Sequence, residues 1–447
     1  MTGVTIIGGG ASGVLLAAHL LRDPASDVTV TLIERAQLGQ GVAYSASQHD
    51  HRVNVPARGM SAFADDPDHF SRWLQSRGHP PEQCSWVFVP RRLYGTYLRD
   101  LLKQAGEANP GRLTVLQDEV LSVGDTPEGM QTVLANGTVL PSRQVVLAVG
   151  HETHSARSRG IAVRVGSEDD TVLPTEAQVM ILGSGLSMVD AWVSLSDAKH
   201  IGPITVISRN GLLPKGHQDV KPLTIAEGDV PFGSRLVHWL RWFRGLIHDT
   251  EAAGGDWRSV VDGIRPYNQR IWQSWSRETR RQFLRHLRPW WNIHRHRLPP
   301  ELYERIAEGV ASGQVRLVAG EFVTVTGRDL AAEAEIRRRG TAIREIMPVA
   351  RVYDCGGVSV NVEASSNPVI RDLVASGRGR PDELRIGLDV NEHCAVIDTA
   401  GNANDSLLAI GPLTRGRFFE IEAIPDIRVQ AANIARSILE NERSRQS

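Results

Sequence analysis

A buried strand that breaks at a glycine-rich turn and continues at once as a helix leaves a chain few ways to fold, and this chain opens on one. Val4-Thr5-Ile6-Ile7 reads as the strand, Gly8-Gly9-Gly10-Ala11-Ser12-Gly13 as the turn, and Val14 to Leu21 as the helix. Gly8 allows the sharp turn, Gly10 lets backbone N–H groups approach a pyrophosphate, and Gly13 lets the helix lie close on the sheet. Phosphates then face the helix N-terminus at Ala11 and Ser12. The next strand, Val28 to Ile33, ends in Glu34 and Arg35. An acid about twenty residues beyond the glycines is where a ribose hydroxyl is held.

A second copy begins at Val179-Met180-Ile181-Leu182, with Gly183 and Gly185 at the first two glycine positions and Leu186 and Ser187 opening the helix. Its third position is Met188, which costs close helix packing. The partner strand, Ile204 to Ile207, ends in Ser208-Arg209 where the first copy has an acid. A small hydroxyl followed by arginine suits the 2′-phosphate of NADP, although a solvated arginine at a strand end is the plainer alternative. Between the copies, Asn136-Gly137 is a hairpin turn in a small antiparallel insertion. The apolar run Val145 to Val149 stops at Gly150, where the chain can return to the nucleotide.

At 447 residues the chain is too long for one ordinary core. The expected class is α/β: two Rossmann-like dinucleotide-binding domains, a small antiparallel β insertion and a helical, tryptophan-rich insertion. In that last stretch Trp239, Trp242, Trp257, Trp272, Trp275, Trp290 and Trp291 alternate with arginines and histidines. Aromatic platforms beside basic side chains bind single-stranded nucleic acid. A net charge of -1 provides no electrostatic funnel for it, and a helical cap with arginines stacked on aromatics explains the same composition. His294 and His296 have no third ligand at helical spacing, so no metal is expected. The three cysteines, Cys84, Cys355 and Cys394, form no CxxC pair and fit a reducing compartment. No apolar run is long enough to span a bilayer, and a cytoplasmic location is expected. Oligomeric state is not legible.

Two glycine fingerprints in strand–helix–strand context, strands ending at Gly150 and Gly357, and a terminal strand leading to Gly411-Pro412 resemble the flavoproteins with two dinucleotide-binding domains. The resemblance implies that Gly8, Gly10, Gly13 and Glu34 hold FAD, that the second fingerprint holds NADPH, and that Gly411 lies by the flavin. The usual Gly-Asp of the last motif is Gly411-Pro412 here, which puts the side-chain contact to the ribityl chain in doubt while the backbone contact can survive. The implied organisation is 1–165 and 346–447 as the two parts of an FAD-binding domain, 166–219 and 313–345 as the two parts of an NADP-binding domain, and 220–312 as a helical insertion serving as substrate lid. Asn54-Val55-Pro56 with Met60-Ser61 and Asp65-Asp66-Pro67, followed by Phe88-Val89-Pro90-Arg91 and Tyr97-Leu98, is similar to a loop of the class B flavin-containing monooxygenases. In that family the asparagine lies over the flavin, which implies a catalytic role for Asn54 and cofactor contacts for Asn54, Met60 and Ser61. The chain is also similar to a bacterial group of FAD/NAD(P)-binding proteins in which membership implies cofactors but no substrate.

The implied activity is hydride transfer from NADPH to FAD, addition of O₂ to the reduced flavin, and oxygen transfer from the C4a-hydroperoxide to an amine nitrogen or sulfur of a small molecule. Cofactors carry this chemistry and no side-chain nucleophile is needed. An NAD(P)H-dependent reductase that passes electrons to a quinone, protein or small acceptor shares every fingerprint but has no need of the Asn54 loop. A flavin-binding protein that does not turn over is the third possibility.

Overall fold

A computed structural model of the chain describes residues 3–44, 51–153, 162–163, 170–327, 332–359 and 361–446. Ser45, at the end of the loop after Gly39, and the expected boundary at 165/166 lie outside these residues. The opening crossover forms as the glycines require, with β1 (Gly3–Ile7), α1 (Ala11–Leu21) and β2 (Thr29–Glu34). The chain continues through α2 (His69–Ser76) and α3 (Arg91–Ala108) to β3 (Leu113–Gln117). β4 (Val120–Thr126), β5 (Gly129–Leu134) and β6 (Val139–Ser142) make the expected antiparallel insertion, and β7 (Gln144–Leu147) returns to pair with β1.

The short strands β8 (Glu152–Thr153) and β9 (Ala162–Val163) precede the second crossover, β10 (Val179–Leu182), α4 (Leu186–Asp197) and β11 (Ile204–Ser208). The cap follows as α5 (Leu236–Ala252), α6 (Trp257–Gly263), α7 (Asn268–Ser274), α8 (Arg277–Gln282), one π turn at Phe283–Leu287, and α9 (Arg288–Arg295). α10 (Pro300–Ala311) leads to β12 (Val315–Thr326), β13 (Ala332–Arg338), β14 (Arg344–Val349) and β15 (Arg351–Asp354). β16 (Val358–Ser359) pairs with β8. The chain ends with α11 (Pro368–Ala375), β17 (Ala395–Ile397), β18 (Ala403–Ala409) and α12 (Ile424–Gln446).

The first sheet is ordered β17-β18-β7-β1-β2-β3 and the second β14-β13-β12-β11-β10-β15-β9. In both, the chain steps outward from its first strand and later returns on that strand's other side. A switch point therefore lies between β1 and β7, and another between β10 and β15, where ligand crevices of open parallel sheets form. α1 fits closely because Gly13 has no side chain: a β-carbon there would lie 1.9 Å from the carbonyl oxygen of Gly8. Leu15, Leu16 and Leu20 of α1 are fully buried, each contributing roughly 1.5–3 kcal/mol of apolar burial.

Three expectations need correction. The second sheet runs on past 345, because β15 pairs with β10 residue for residue from Val179↔Arg351 to Leu182↔Asp354. The return to the first domain therefore comes after Asp354. α10 was expected inside the insertion, yet Leu302 and Ile306 share a core with Val189 and Trp192 of α4, so it is the crossover helix from β11 to β12 and the cap closes before it. The sequence pattern of a terminal strand delivering Gly411 to a helix start also needs adjusting: Gly411 opens only a short turn, Gly411–Thr414, and the long helix begins at Ile424.

The cap is built on its tryptophans. Trp239, Trp272, Trp275 and Trp291 are buried in one cluster, with Trp239 stacked on Phe243 at 5.0 Å and Arg258 over Trp257 at 4.4 Å. Asp256 and Ser276 cap α6 and α8 through their side chains, the short acceptors that favour a helix start.

Candidate functional site

The carboxyl ends of β3, β2, β1, β7 and β18 open on one cavity of 360 Å³, within the range of small-molecule sites. Four inter-strand steps at about 4.8 Å make it roughly 19 Å from end to end. At one end stand Glu34, Arg35 and Glu119; in the middle Gly8, Gly10, Ala11 and Ser12; at the other end Gly150, His151, Pro412 and Glu422. Gly13 lies beneath the floor and sets the helix position. Gly411 has φ +71, and a β-carbon there would meet Ser12 Oγ at 2.4 Å, so the last strand can approach α1 only through glycine.

The middle of this cavity fits a pyrophosphate. α1 starts at Gly10 with no side-chain cap, so its first N–H groups are left to a ligand in the cavity, at the positive end of the helix dipole. A β-carbon on Gly10 would meet only Gly41 Cα, at 3.7 Å, so the space above the turn is open. Glu34 accepts from Gly9 N at 2.7 Å and Ala36 N at 2.9 Å. A carboxylate has about four acceptor sites, so both oxygens keep room for ribose hydroxyls. Arg35 pairs with Glu119 at 3.0 Å, turning its charge along the rim.

The second switch point repeats the geometry without the acid. Gly183 has φ +92 and lies so close to Cys355 that a β-carbon would be 2.4 Å from its carbonyl oxygen. α4 starts at Gly185 with no side-chain cap, leaving the N–H groups near Leu186 and Ser187 for an anion. Ser208 Oγ accepts from Gly211 N at 3.0 Å and from Ser184 Oγ at 2.8 Å, so its own proton is left to donate. Arg209 beside it is exposed and has no ion-pair partner among the described residues.

Asn54, Met60 and Ser61 do not join the cavity wall. Met60 is 1% exposed in the core of the first domain, and its carbonyl accepts from Tyr94. Ser61 is fully buried, with Oγ bonded to the Phe63 and Asp66 carbonyls. Its own carbonyl accepts from Arg428 at the start of α12, so these two residues fasten the loop. Asn54 stands instead at the junction of the two nucleotide domains, where its main-chain carbonyl accepts from His217. Arg91 and Asp190 pair across the same junction at 3.0 Å, as do His51 and Ser194.

The far wall of the cavity went unforeseen. His151 follows Gly150 directly, and Glu422 precedes α12; both touch Arg415, which the sequence brings near neither. The cap rests on this same segment. Trp272 donates Nε1–H to the Gly416 carbonyl at 2.8 Å and stacks on Phe419 at 4.7 Å, while Glu420 takes Asn268 at 2.8 Å and the buried Arg295 at 3.1 Å. Glu420 holds φ +62, a left-handed conformation that a non-glycine residue keeps only where its surroundings dictate it. His294 bonds the Trp290 carbonyl of its own helix, and no group of metal-binding side chains occurs among the described residues. Nor, among them, is any helix long and apolar enough to cross a membrane.

Residues 5–152 match the family described as FAD-NAD(P)-binding. No curated protein matches the chain by sequence. Among solved structures, the chain is similar to the ornithine N-hydroxylase of Kutzneria sp. 744, with 14% identity, 98% of this chain and 99% of that one covered, and a TM-score of 0.65. It is similar to the L-lysine 6-monooxygenase of Pseudomonas syringae, at 14% identity, 99% and 100% coverage and TM-score 0.60. The bacillithiol disulfide reductase of Staphylococcus aureus matches at 14% identity, 99% and 100% coverage and TM-score 0.55. The expected α/β architecture of two Rossmann-like domains is therefore the fold of this chain.

Proposed function

We propose that the protein is an FAD-dependent, NADPH-using oxidoreductase, and within that class a monooxygenase that delivers one atom of O₂ to an amine nitrogen or sulfur of a small molecule. The observation that carries this is the pairing, in one chain, of two glycine-turn crossovers whose helices both start without a side-chain cap, the first opening on a cavity that runs across the ends of five strands. Glu34 would hold the ribose of FAD, Gly10, Ala11 and Ser12 its pyrophosphate, and Gly150, Gly411 and Pro412 would lie by the end that carries the flavin. NADPH takes the second turn, Gly183 to Ser187, with its 2′-phosphate between the Ser208 hydroxyl and Arg209.

FAD, when bound, takes hydride from NADPH and activates O₂. The chain's own part is to bring the two nucleotides together and keep water out. The cross-domain pairs at Asn54, Arg91 and His51 serve the first task. The tryptophan cap, inserted in the second domain and seated on the Gly416–Glu420 stretch of the first, serves the second as the lid. The likeness to two structures named as hydroxylase and monooxygenase supports oxygen transfer. The likeness to a disulfide reductase carries less weight, because Cys84 and Cys394 are buried and Cys355 stands apart from both in sequence. The test is anaerobic mixing with NADPH: bleaching of bound flavin is expected, and a flavin that stays oxidised overturns the reading.

A further inference from the structure

At the end of the cavity farthest from Glu34, Arg415 organises two side chains that line the wall. It is 5% exposed; its Nη2 donates to His151 Nδ1 at 2.9 Å and lies 3.0 Å from Glu422 Oε1, and its Nε donates to the Pro412 carbonyl at 3.1 Å. Glu422 lines the cavity, and 36% of its side-chain surface is open. Among the described residues no hydrogen bond reaches its second carboxylate oxygen. That oxygen is left to accept from a ligand in the cavity.

The protonation states follow from the surroundings. Burial holds the His151 imidazole down at about 4, so the ring is neutral at pH 7. Desolvation works against the charge of Glu422, but the Arg415 guanidinium holds its carboxyl below the usual range, and it stays ionised. With Nδ1 accepting from Arg415, the single proton of His151 sits on Nε2, an assignment made from the bonding pattern. This end of the wall therefore offers one fixed acceptor and one fixed donor side by side.

We propose that Glu422 and His151 bind the hydroxyl-bearing chain of FAD, with Arg415 as the residue that positions both. The proposal rests on the reading that the cavity holds FAD. A hydroxyl is donor and acceptor at once, so it satisfies a carboxylate and an imidazole N–H together, whereas a phosphate is repelled by the carboxylate. Position agrees. The pyrophosphate belongs over α1, beside β1, and β7 and β18 are the next two strands, one and two steps of about 4.8 Å away. That is where the unit joining pyrophosphate to flavin falls. Pro412 supplies neither an N–H nor a polar side chain at this point, so the acceptor comes from Glu422, ten residues later in the chain.

The experiment titrates the full-length protein, freed of flavin, with FAD and separately with ADP, which ends at the pyrophosphate. Glu422→Gln keeps size and removes charge; it should weaken FAD roughly ten- to a hundredfold, the loss of one hydrogen bond to a charged group, and leave ADP unchanged. His151→Leu should act in the same direction, again sparing ADP. Unchanged FAD affinity in both variants, or equal loss of FAD and ADP, overturns the proposal, the latter marking the cluster as structural. A wild-type protein that binds ADP but not FAD would instead overturn the cofactor reading beneath it.

Discussion

His217, in the linker after the second crossover, donates Nε2–H to the main-chain carbonyl of Asn54 in the first domain at 2.9 Å. Its ring packs against Phe88 at 5.1 Å, and burial holds it at about 3, so it is a neutral donor. Because the bond uses the main chain, the Asn54 amide itself has no hydrogen-bond partner among the described residues.

Asn54→Leu should therefore keep the loop, the domain junction and bound FAD. If the amide serves the reacting flavin and nicotinamide, the variant should go on oxidising NADPH while releasing more H₂O₂ per NADPH, normalised to bound FAD. An unchanged ratio removes Asn54 from the catalytic account.

Gly10 and Gly13 should fail differently. Gly10→Val projects into the open space above the turn and should yield folded protein without FAD. Gly13→Ala puts a β-carbon against the Gly8 carbonyl and must push α1 off the sheet, so thermal stability should drop along with FAD content. Circular dichroism melts alongside flavin absorbance separate the two; identical behaviour would contradict the assignment of one glycine to the ligand and the other to packing.

Arg209→Ala should weaken NADPH by about 1.5–3 kcal/mol, roughly ten- to a hundredfold, and NADH hardly at all. Initial-rate KM values for both nucleotides check this. A common effect on the two would leave Arg209 a solvated strand-end arginine.

Stability should fall as pH drops below neutral. Burial holds His19 and His151 at about 4 and His217 at about 3 in the folded chain, while in the unfolded chain they titrate near 6.5. Above that value both states are neutral and nothing is gained or lost. Below it the unfolded chain takes up protons first, so each histidine removes up to about 1.4 kcal/mol per pH unit until its folded value is reached. Melting temperatures between pH 7 and 4.5 should decline, and His217→Asn should flatten part of the slope; a flat wild-type profile contradicts these histidines being buried neutral.

The glycine turns were legible because their demand is local: Gly8, Gly13, Gly183 and Gly411 each answer to a φ value or a near neighbour that only glycine tolerates. The cap was legible as composition, and its helix starts at Asp256 and Ser276 as side-chain chemistry. What pattern could not decide was which sheet a strand joins. β15 reads the same whether it pairs with β10 or returns to the first domain, and α10 looks like any other helix after the tryptophans. The Arg415 cluster was out of reach for the same reason, since His151 and Glu422 meet only after β7 and β18 become neighbours. Met60 and Ser61 carried a family pattern whose contacts here are internal.

Oxygen transfer powered by NADPH is read out by reducing the FAD-loaded protein with NADPH under anaerobic conditions, mixing it with O₂, and following O₂ uptake and H₂O₂ release on one time axis. Rapid O₂ uptake is expected with H₂O₂ release lagging well behind, because a closed, dry site retains the activated oxygen until a nucleophile arrives. H₂O₂ appearing in step with O₂ uptake, with no lag, would contradict it and leave a reductase.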